Sequence, residues 1–122
     1  MTQRTSAQAR GYSARWQTAA ATFKQRAPWC LGCQALGRLV ATQVVDHVQP
    51  HRGDPVKFWD SAMWQPACQW CHNGIKRSLE QMFLRGEIDC SQLWLNSSTA
   101  KKLSRSRPRP RPIGADGWFA GQ

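Results

Sequence analysis

The sequence of this chain is organised around residues 44–76, which read VVDHVQPHRGDPVKFWDSAMWQPACQWCHNGIK. A valine-rich run ends in an acid and a histidine at Asp46 and His47, and a second histidine, His72, directly follows a cysteine pair. A segment rich in Pro, Gly and Asp at residues 50–55 separates the two halves. Because β-branched residues favour strands and such clusters favour turns, the stretch predicts a hairpin followed by a helix.

The flanking segments predict further elements from the spacing of their apolar residues. The expected elements are helices at residues 12–26, 72–85 and 99–103, a helical turn at 56–59, and strands at 39–48 and 63–67. Gly86 stands where a C-terminal helix cap is expected. The Arg-Pro alternation of residues 104–112 cannot pack a core and is expected to be extended and mobile.

The charge of the chain favours a polyanionic partner. The 122 residues fit one domain, and 17 Lys and Arg against 7 Asp and Glu give a formal net charge of +10. Counterion release makes DNA or RNA the expected partner of such a chain. A basic tail on an ordinary domain is the alternative, but basic residues also occur throughout the rest of the sequence. Residues 1–15 lack the apolar core of a signal peptide, and no apolar run approaches a membrane span, so a soluble intracellular protein is expected.

Four of the five cysteines form two Cys-x-x-Cys pairs, Cys30 with Cys33 and Cys68 with Cys71. Two such pairs present four thiolates to one tetrahedral zinc ion, and closed sites of this kind are structural. A redox role is less well supported, because a thioredoxin-like site uses one pair within a βαβ unit. The remaining cysteine, Cys90, is expected to be a small, partly buried residue.

Asp46, His47 and His72 form a second candidate site. Folding the hairpin onto the following helix would bring Asp46 and His72 within reach of one divalent cation, with His47 beside it. A cation that polarises a phosphate and an imidazole that deprotonates water are the two components that phosphodiester hydrolysis requires. A histidine at a strand end is, however, more often a packed or hydrogen-bonded residue, and the residues alone leave both interpretations open.

The motifs of residues 12–80 together resemble the HNH endonucleases, specifically the phage-type group with two zinc knuckles. The resemblance rests on Tyr12, Trp16, the first cysteine pair, Asp46-His47, Pro50-His51-Arg52-Gly53-Asp54, Phe58-Trp59-Asp60, Trp64-Gln65, and Cys68-x-x-Cys71-His72 with Lys76. A weaker similarity to the tails of such proteins occurs at residues 114–118. No single motif is specific, but the combination is.

The resemblance implies an α+β fold with a small ββα-metal (His-Me finger) core, stabilised by a Cys₄ structural zinc. An N-terminal helix and a flexible basic C-terminal tail would flank this core. The implied organisation is a disordered N-terminus at residues 1–11, an HNH endonuclease domain at 12–88, and a C-terminal extension with the Arg-Pro-rich tail at 89–122.

The resemblance also implies a role for each site residue. His47 would be the general base, and Asp46 and His72 would hold a catalytic Mg²⁺ or Mn²⁺ at the scissile phosphate of DNA, giving 5′-phosphate and 3′-hydroxyl ends. Double-stranded DNA with weak sequence specificity is the expected substrate. His51, Arg52 and Lys76 would lie near the phosphates, although a solvated basic face explains these three residues equally well.

One position departs from the family pattern: Met63 stands where an asparagine usually precedes Trp-Gln. That asparagine helps to fix the loop carrying the base, so the fold is expected to survive the change while activity is reduced or lost. The resemblance further implies a phage or prophage protein of the bacterial cytoplasm that serves DNA packaging beside a terminase. Two alternatives remain: a zinc-stabilised DNA-binding module without cleavage, and an adaptor whose tryptophans dock a partner such as the terminase.

Overall fold

The computed structural model describes residues 7–109, with side chains from Ser13 onward. Its helices and strands are α1 (Ala7–Arg26), α2 (Leu31–Gln34), β1 (Val44–His47), α3 (Pro55–Phe58), β2 (Trp64–Ala67), α4 (Arg77–Leu84) and α5 (Ser98–Ser106). A π-helical segment, Cys71–Lys76, leads directly into α4, and single 3₁₀ turns precede β2 and α5. Among the described helices, none combines the length and apolar character needed to cross a membrane.

β1 and β2 form a two-stranded antiparallel sheet, as the sequence predicts. Asp46 pairs with Gln65, and His47 pairs with Trp64. The strand predicted at residues 39–48 is shorter than expected and spans only Val44–His47. The preceding residues turn away from the sheet because Thr42 bonds to the segment after α1. The N–H of Thr42 donates to the carbonyl of Pro28 (2.9 Å), and the Thr42 hydroxyl donates to the carbonyl of Ala27 (2.6 Å).

Two apolar clusters hold the elements together. The cysteine core contains the four paired cysteines together with Val48, Ala67, Ile75, Leu79, Leu93, Leu95 and Ala100. The tryptophan core joins α1 to the sheet and contains Ala20, Val45 and Trp64, with Trp16, Ala19, Phe23 and Trp59 packed against them. The histidine-bearing end of β1 therefore lies on the tryptophan core, and the helix that carries His72 begins at the cysteine core.

The helix after the second cysteine pair ends as the sequence predicts. Gly86 has a φ of +77°, and the N–H groups of Gly86 and Glu87 donate to the carbonyls of Phe83 (3.0 Å) and Met82 (2.9 Å). These bonds satisfy carbonyls that the helix leaves unpaired at its end, in a backbone conformation that glycine adopts without steric cost. The predicted cap is confirmed.

Both terminal predictions require correction. Residues 7–11 belong to α1, whereas the sequence suggested that residues 1–11 are disordered; residues 1–6 lie outside the described part. α5 continues to Ser106, so the start of the Arg-Pro segment at 104–112 is helical instead of extended. Ser97 caps the N-terminus of α5 by accepting a bond from the N–H of Ala100 (3.1 Å), and residues 110–112 lie outside the described residues.

The segment after residue 88 contributes to the same core as the cysteines. Leu93 and Leu95 are 0% and 2% exposed, and Ala100 of α5 is buried beside them. Burying leucines of this size stabilises a small domain substantially. The described part of the predicted C-terminal extension is therefore packed against the residues that precede it.

Candidate functional site

Asp46 and His72 lie side by side at the join between β1 and the helix. The Oδ1 of Asp46 is 2.8 Å from the Nδ1 of His72, and Asp46 is buried whereas the His72 side chain is 39% exposed. The hydrogen bond to Asp46 raises the pKa of His72. The hairpin and helix thus bring together the two residues that the sequence singled out as ligands of a cation.

The second carboxylate oxygen of Asp46 is held by two buried groups. Gln65 donates to it through Nε2 (2.9 Å), and the ammonium of Lys76 lies 3.1 Å away. Although burial opposes ionisation of Asp46, the bond with His72, the Lys76 charge and the Gln65 amide outweigh it and lower the pKa of Asp46. Asp46 is therefore held as a carboxylate, with one oxygen directed toward His72.

Lys76 occupies a different environment from the phosphate-facing one that the resemblance implies. The residue is 1% exposed, and its ammonium group donates to the carbonyl of His47 and to Glu80, both at 2.7 Å. With Asp46 as a third partner, the three ammonium protons have acceptors inside the protein. This placement favours a role in orienting Asp46 and the β1 end over direct contact with a phosphate.

His47 is oriented by a backbone carbonyl. Its Nε2 lies 3.0 Å from the carbonyl oxygen of Phe58, which can only accept, so Nε2 carries the proton and the neutral ring keeps its lone pair on Nδ1. Nδ1 makes no hydrogen bond to any residue of the described part. Burial lowers the pKa of His47, and the ring stacks on Trp16 at a centroid distance of 5.2 Å. His47 is thus a neutral imidazole with a free basic nitrogen.

The loop between the strands positions the Phe58 carbonyl. The indole N–H of Trp64 donates to the same oxygen (2.9 Å), and aspartates begin both short helices of the loop: Asp54 accepts from the N–H of Val56 (2.9 Å), and Asp60 accepts from that of Ala62 (3.2 Å). Short polar side chains at these positions stabilise helix starts. The loop is therefore fixed by bonds that do not require an amide at position 63.

Met63 itself points into the protein interior. Its side chain is half-buried against the cysteine core, and its carbonyl accepts from the N–H of Val48 (2.8 Å). The nearby amide of Asn73 donates to Gln69 on its own helix (3.2 Å). Packing against the cysteine core therefore explains why position 63, which departs from the family pattern, holds an apolar residue.

The two other predicted phosphate contacts lie on a tight turn next to His47. Arg52 and Gly53 both have positive φ, 50° and 81°, and the N–H of Asp54 donates to the carbonyl of His51 (2.8 Å), as in a type I′ turn. Gly53 donates to the Nδ1 of His51 (3.0 Å), whose ring centroid lies 4.9 Å from that of His47. Arg52 is exposed at the tip of this turn, so the structure places His51, but not Arg52, in contact with His47.

The pair Asp46 and His72 opens onto a cleft of about 370 Å³ that is also lined by Asn73, Lys76, Arg77 and Glu80, whereas His47 does not line it. One carboxylate oxygen of Asp46 and one imidazole nitrogen of His72 could serve as two ligands of a divalent cation that takes its remaining ligands from water. No third His, Cys, Asp or Glu of the described part completes a metal-binding group with them.

The four paired cysteines form a cluster that could bind zinc. All four are at least 98% buried, and their sulfur atoms lie within 4.8 Å of one another. The separations of Cys33 from Cys68 (3.7 Å) and from Cys71 (3.9 Å) match the roughly 3.8 Å edge of a tetrahedron with metal–sulfur bonds of about 2.3 Å. Hydrogen bonds among the four sulfur atoms lower the pKa of Cys30 and Cys68 and raise that of Cys33 and Cys71, so ionisation of all four thiols requires a bound cation.

The surroundings of this cluster differ from expectation in two respects. Cys90 lies outside it and is exposed, not partly buried. Arg109, from the segment predicted to be extended and mobile, donates to Cys33 through Nη2, and its guanidinium lies 4.3 Å from the ring centroid of Trp70. A cation beside four thiolates and one zinc ion would offset their net negative charge.

Two supporting groups belong to motifs that the sequence analysis names, but their roles were not predicted. Gln65 is 0% exposed and uses both ends of its amide, donating to Asp46 and to the carbonyl of Leu93 (3.2 Å) and accepting from the N–H of Leu95 (2.8 Å). The sequence feature that could have indicated this role is a polar residue within a short, otherwise apolar strand. The role of the Phe58 carbonyl could not be predicted, because a backbone group carries no sequence signature.

Comparison of the chain with protein-family models, with curated proteins and with solved structures finds no match. The functional assignment therefore depends on the geometry of the residues themselves.

Proposed function

We propose that this chain is a metal-dependent DNA endonuclease of the HNH type. The observation that carries the proposal is His47, whose Nε2 is bound to the Phe58 carbonyl and whose Nδ1 is left as a base. It stands next in sequence to Asp46, which with His72 offers a site for a divalent cation. A base and a cation site in adjacent positions are the requirements for hydrolysing a phosphodiester.

In the proposed reaction His47 takes a proton from water through Nδ1, and the resulting hydroxide attacks phosphorus while the bond to the 3′ oxygen breaks. The 3′ oxygen leaves as an alkoxide and takes a proton from solvent water. The products are 5′-phosphate and 3′-hydroxyl ends. When bound, the cation held by Asp46 and His72 would supply charge stabilisation at the phosphate and the leaving oxygen. Phe58 and Trp16 hold the imidazole in place, and the buried Lys76 keeps Asp46 ionised.

A structural zinc in the cysteine core is part of the proposal. The two knuckles and the segments around Leu93 and Leu95 meet at this core, so zinc would hold the start of the His72 helix relative to the sheet. Closed four-cysteine sites lack an open coordination position, so this ion would not take part in hydrolysis.

Met63 favours a second candidate, a DNA-binding module that keeps the layout of the site without cleaving. The endonuclease is supported instead by the hydrogen bonds of the Phe58 carbonyl with His47 and Trp64. These bonds do not require an amide side chain at position 63. A role beside a terminase in phage DNA packaging rests on the resemblance alone.

The test is nicking of supercoiled plasmid by zinc-loaded protein with Mg²⁺ or Mn²⁺, followed by sealing of the nicks with DNA ligase. We expect cleavage that depends on the added Mg²⁺ or Mn²⁺ and ends that ligase seals, because ligase requires a 5′-phosphate and a 3′-hydroxyl. His72→Ala should lose the activity, whereas Gln81→Ala, an exposed change on the same helix, should keep it. Folded, zinc-bound protein that binds DNA but nicks with neither metal would favour the second candidate.

A further inference from the structure

Four arginines meet at a groove beside the cysteine core. The cavity measures about 610 Å³ and lies between the loop after α2 and the end of α5; its arginines are Arg38, Arg105, Arg107 and Arg109. No acidic residue of the described part lines it. Arg38 and Arg105 are exposed, and neither forms an ion pair within residues 7–109. We call this cavity the basic groove.

The arginines from the C-terminal segment are held in place. Arg107 donates through Nη2 to the hydroxyl of Ser78 on α4. Arg109 bonds to Cys33 and lies over the face of Trp70, an arrangement that adds a cation–π attraction. Fixing the segment at both points means that a ligand in the basic groove meets an organised set of positive charges, so binding costs less conformational entropy.

The basic groove is connected to the candidate cleft. A second cavity of about 600 Å³, which we call the connecting groove, is lined by Trp70, Gly74, Asn73 and Arg107. Asn73 also lines the cleft of Asp46 and His72, and Arg107 also lines the basic groove. The three cavities therefore follow one another from the cation site to the arginines, each sharing one lining residue with the next, and we call this series the path.

Gly74 lets Arg107 lie close to the helix at the connecting groove. A Cβ at Gly74 would lie 3.5 Å from Nη1 of Arg107, which is an ordinary contact distance, so the guanidinium already lies next to this part of the helix. Arg107 is therefore held beside the helix that carries His72.

We propose that this path binds the sugar–phosphate backbone of the DNA strand that continues beyond the scissile phosphate, and that the basic groove is a phosphate-binding exosite. The proposal rests on the proposed function for the position of the scissile phosphate. Guanidinium groups bind phosphate oxygens through paired N–H donors, which suits a groove with four arginines and no carboxylate. The exosite adds affinity for long DNA without reading sequence.

The test compares two variants that lose the same charge. Arg38→Gln combined with Arg105→Gln removes the two exposed arginines of the basic groove, and Arg26→Gln combined with Arg85→Gln removes two exposed arginines that line none of the three cavities. Binding of a fluorescent 20-base-pair duplex by the zinc-loaded proteins is measured without added Mg²⁺ or Mn²⁺ over a series of salt concentrations. Zinc content and thermal unfolding confirm that both variants fold.

We expect the groove variant to lose roughly 10-fold or more in affinity and to reduce the slope of log K against log salt by about 2, because two phosphate contacts are lost. The control variant should show a much smaller change in both the affinity and the slope. Equal losses in the two variants would overturn the proposal, since they would reflect overall charge. This readout needs no cleavage, so it can succeed or fail separately from the endonuclease assignment.

A second measurement tests the position of the exosite. Thymidine 5′-(4-nitrophenyl phosphate) is a diester too short to reach from the cation site to the basic groove. Its hydrolysis by the groove variant should equal that of the unmodified protein, whereas nicking of plasmid at low DNA concentration should fall. Equal loss on both substrates would contradict a remote exosite.

Discussion

Asp46 is buried between His72, Gln65 and Lys76, and its ionised state depends on all three. A carboxylate in this environment requires its neighbours, because removing one partner leaves a buried charge without compensation. The lysine is therefore as important to the candidate site as the residues that face the cleft.

Replacement of Lys76 by methionine should destabilise the protein by about 3–5 kcal/mol. The change leaves Asp46 without its cation and the His47 carbonyl without its donor. Arg77→Met, an exposed neighbour on the same helix, is the control and should change stability by less than about 0.5 kcal/mol. Chemical denaturation of the zinc-loaded proteins measures the free energy of unfolding of both variants. If the two variants were equally stable, this result would contradict the buried network.

The two histidines should give the nicking rate two distinct acid limits. His72 has a raised pKa, and its protonated form cannot bind a cation, so at low metal concentration activity should begin to fall at a pH above 6.5. His47 has a lowered pKa, and its neutral form is the base. Saturating Mn²⁺ should therefore move the midpoint below 6.5. A midpoint that stays unchanged at all metal concentrations would argue against separate roles for the two residues.

The residues of the site differ in how far the sequence could predict them. Asp46, His47 and His72 were predicted to converge. The fold places Asp46 in contact with His72, and His47 follows Asp46 at the end of β1, because the strand register and the helix start are local features of one stretch. Lys76 was expected near phosphates but lies buried. Burial of a lysine depends on tertiary contacts with Asp46 and Glu80, which the linear sequence does not display.

At the level of elements, the loop between β1 and β2 determines where the proton of His47 lies. The Phe58 carbonyl, which belongs to this loop, accepts hydrogen bonds from both His47 and the Trp64 indole. Loops that carry such groups must be rigid, since small displacements of a supporting residue reduce activity.

Trp64→Phe should keep the aromatic packing while removing the indole donor to Phe58. We expect nicking to fall about 10-fold, the scale on which supporting residues of metal sites act, with little loss of stability. Trp94→Phe, in the cysteine core, provides the control for loss of an indole far from His47. Nicking unchanged by Trp64→Phe would show that the bond from Trp64 is dispensable.

The lengths of the elements were predicted less well than their existence. The two strands and the helix after the second cysteine pair were expected, but β1 begins at Val44 instead of residue 39, because the backbone of Thr42 is bonded to Pro28. α5 extends to Ser106 because the apolar face of the helix packs on the core through Ala100 and Leu103. The backbone propensity of the Arg-Pro segment predicts an extended conformation. For its first residues, up to Ser106, tertiary packing stabilises a helix instead.

For the molecule as a whole, the four cysteines join α2, the sheet and the helix bearing His72 at one point. A structural zinc commonly contributes on the order of 10 kcal/mol or more to the folding of a small domain. We expect one zinc per chain, and removal with a chelator should unfold the protein and abolish both DNA binding and nicking. Cys68→Ser should lose the metal, whereas Cys90→Ser should retain it. Metal-free protein with an unchanged thermal transition would contradict this account.

The most direct test of the central claim is plasmid nicking by His47→Ala, measured with and without added imidazole. Because His47 is assigned as the base, the variant should remain folded and zinc-bound, nick about 10²–10⁴-fold more slowly with Mn²⁺, and recover part of its rate when imidazole enters the space beside Trp16. Nicking by His47→Ala at the rate of the unmodified protein would contradict the assignment of His47 and, with it, the proposed mechanism.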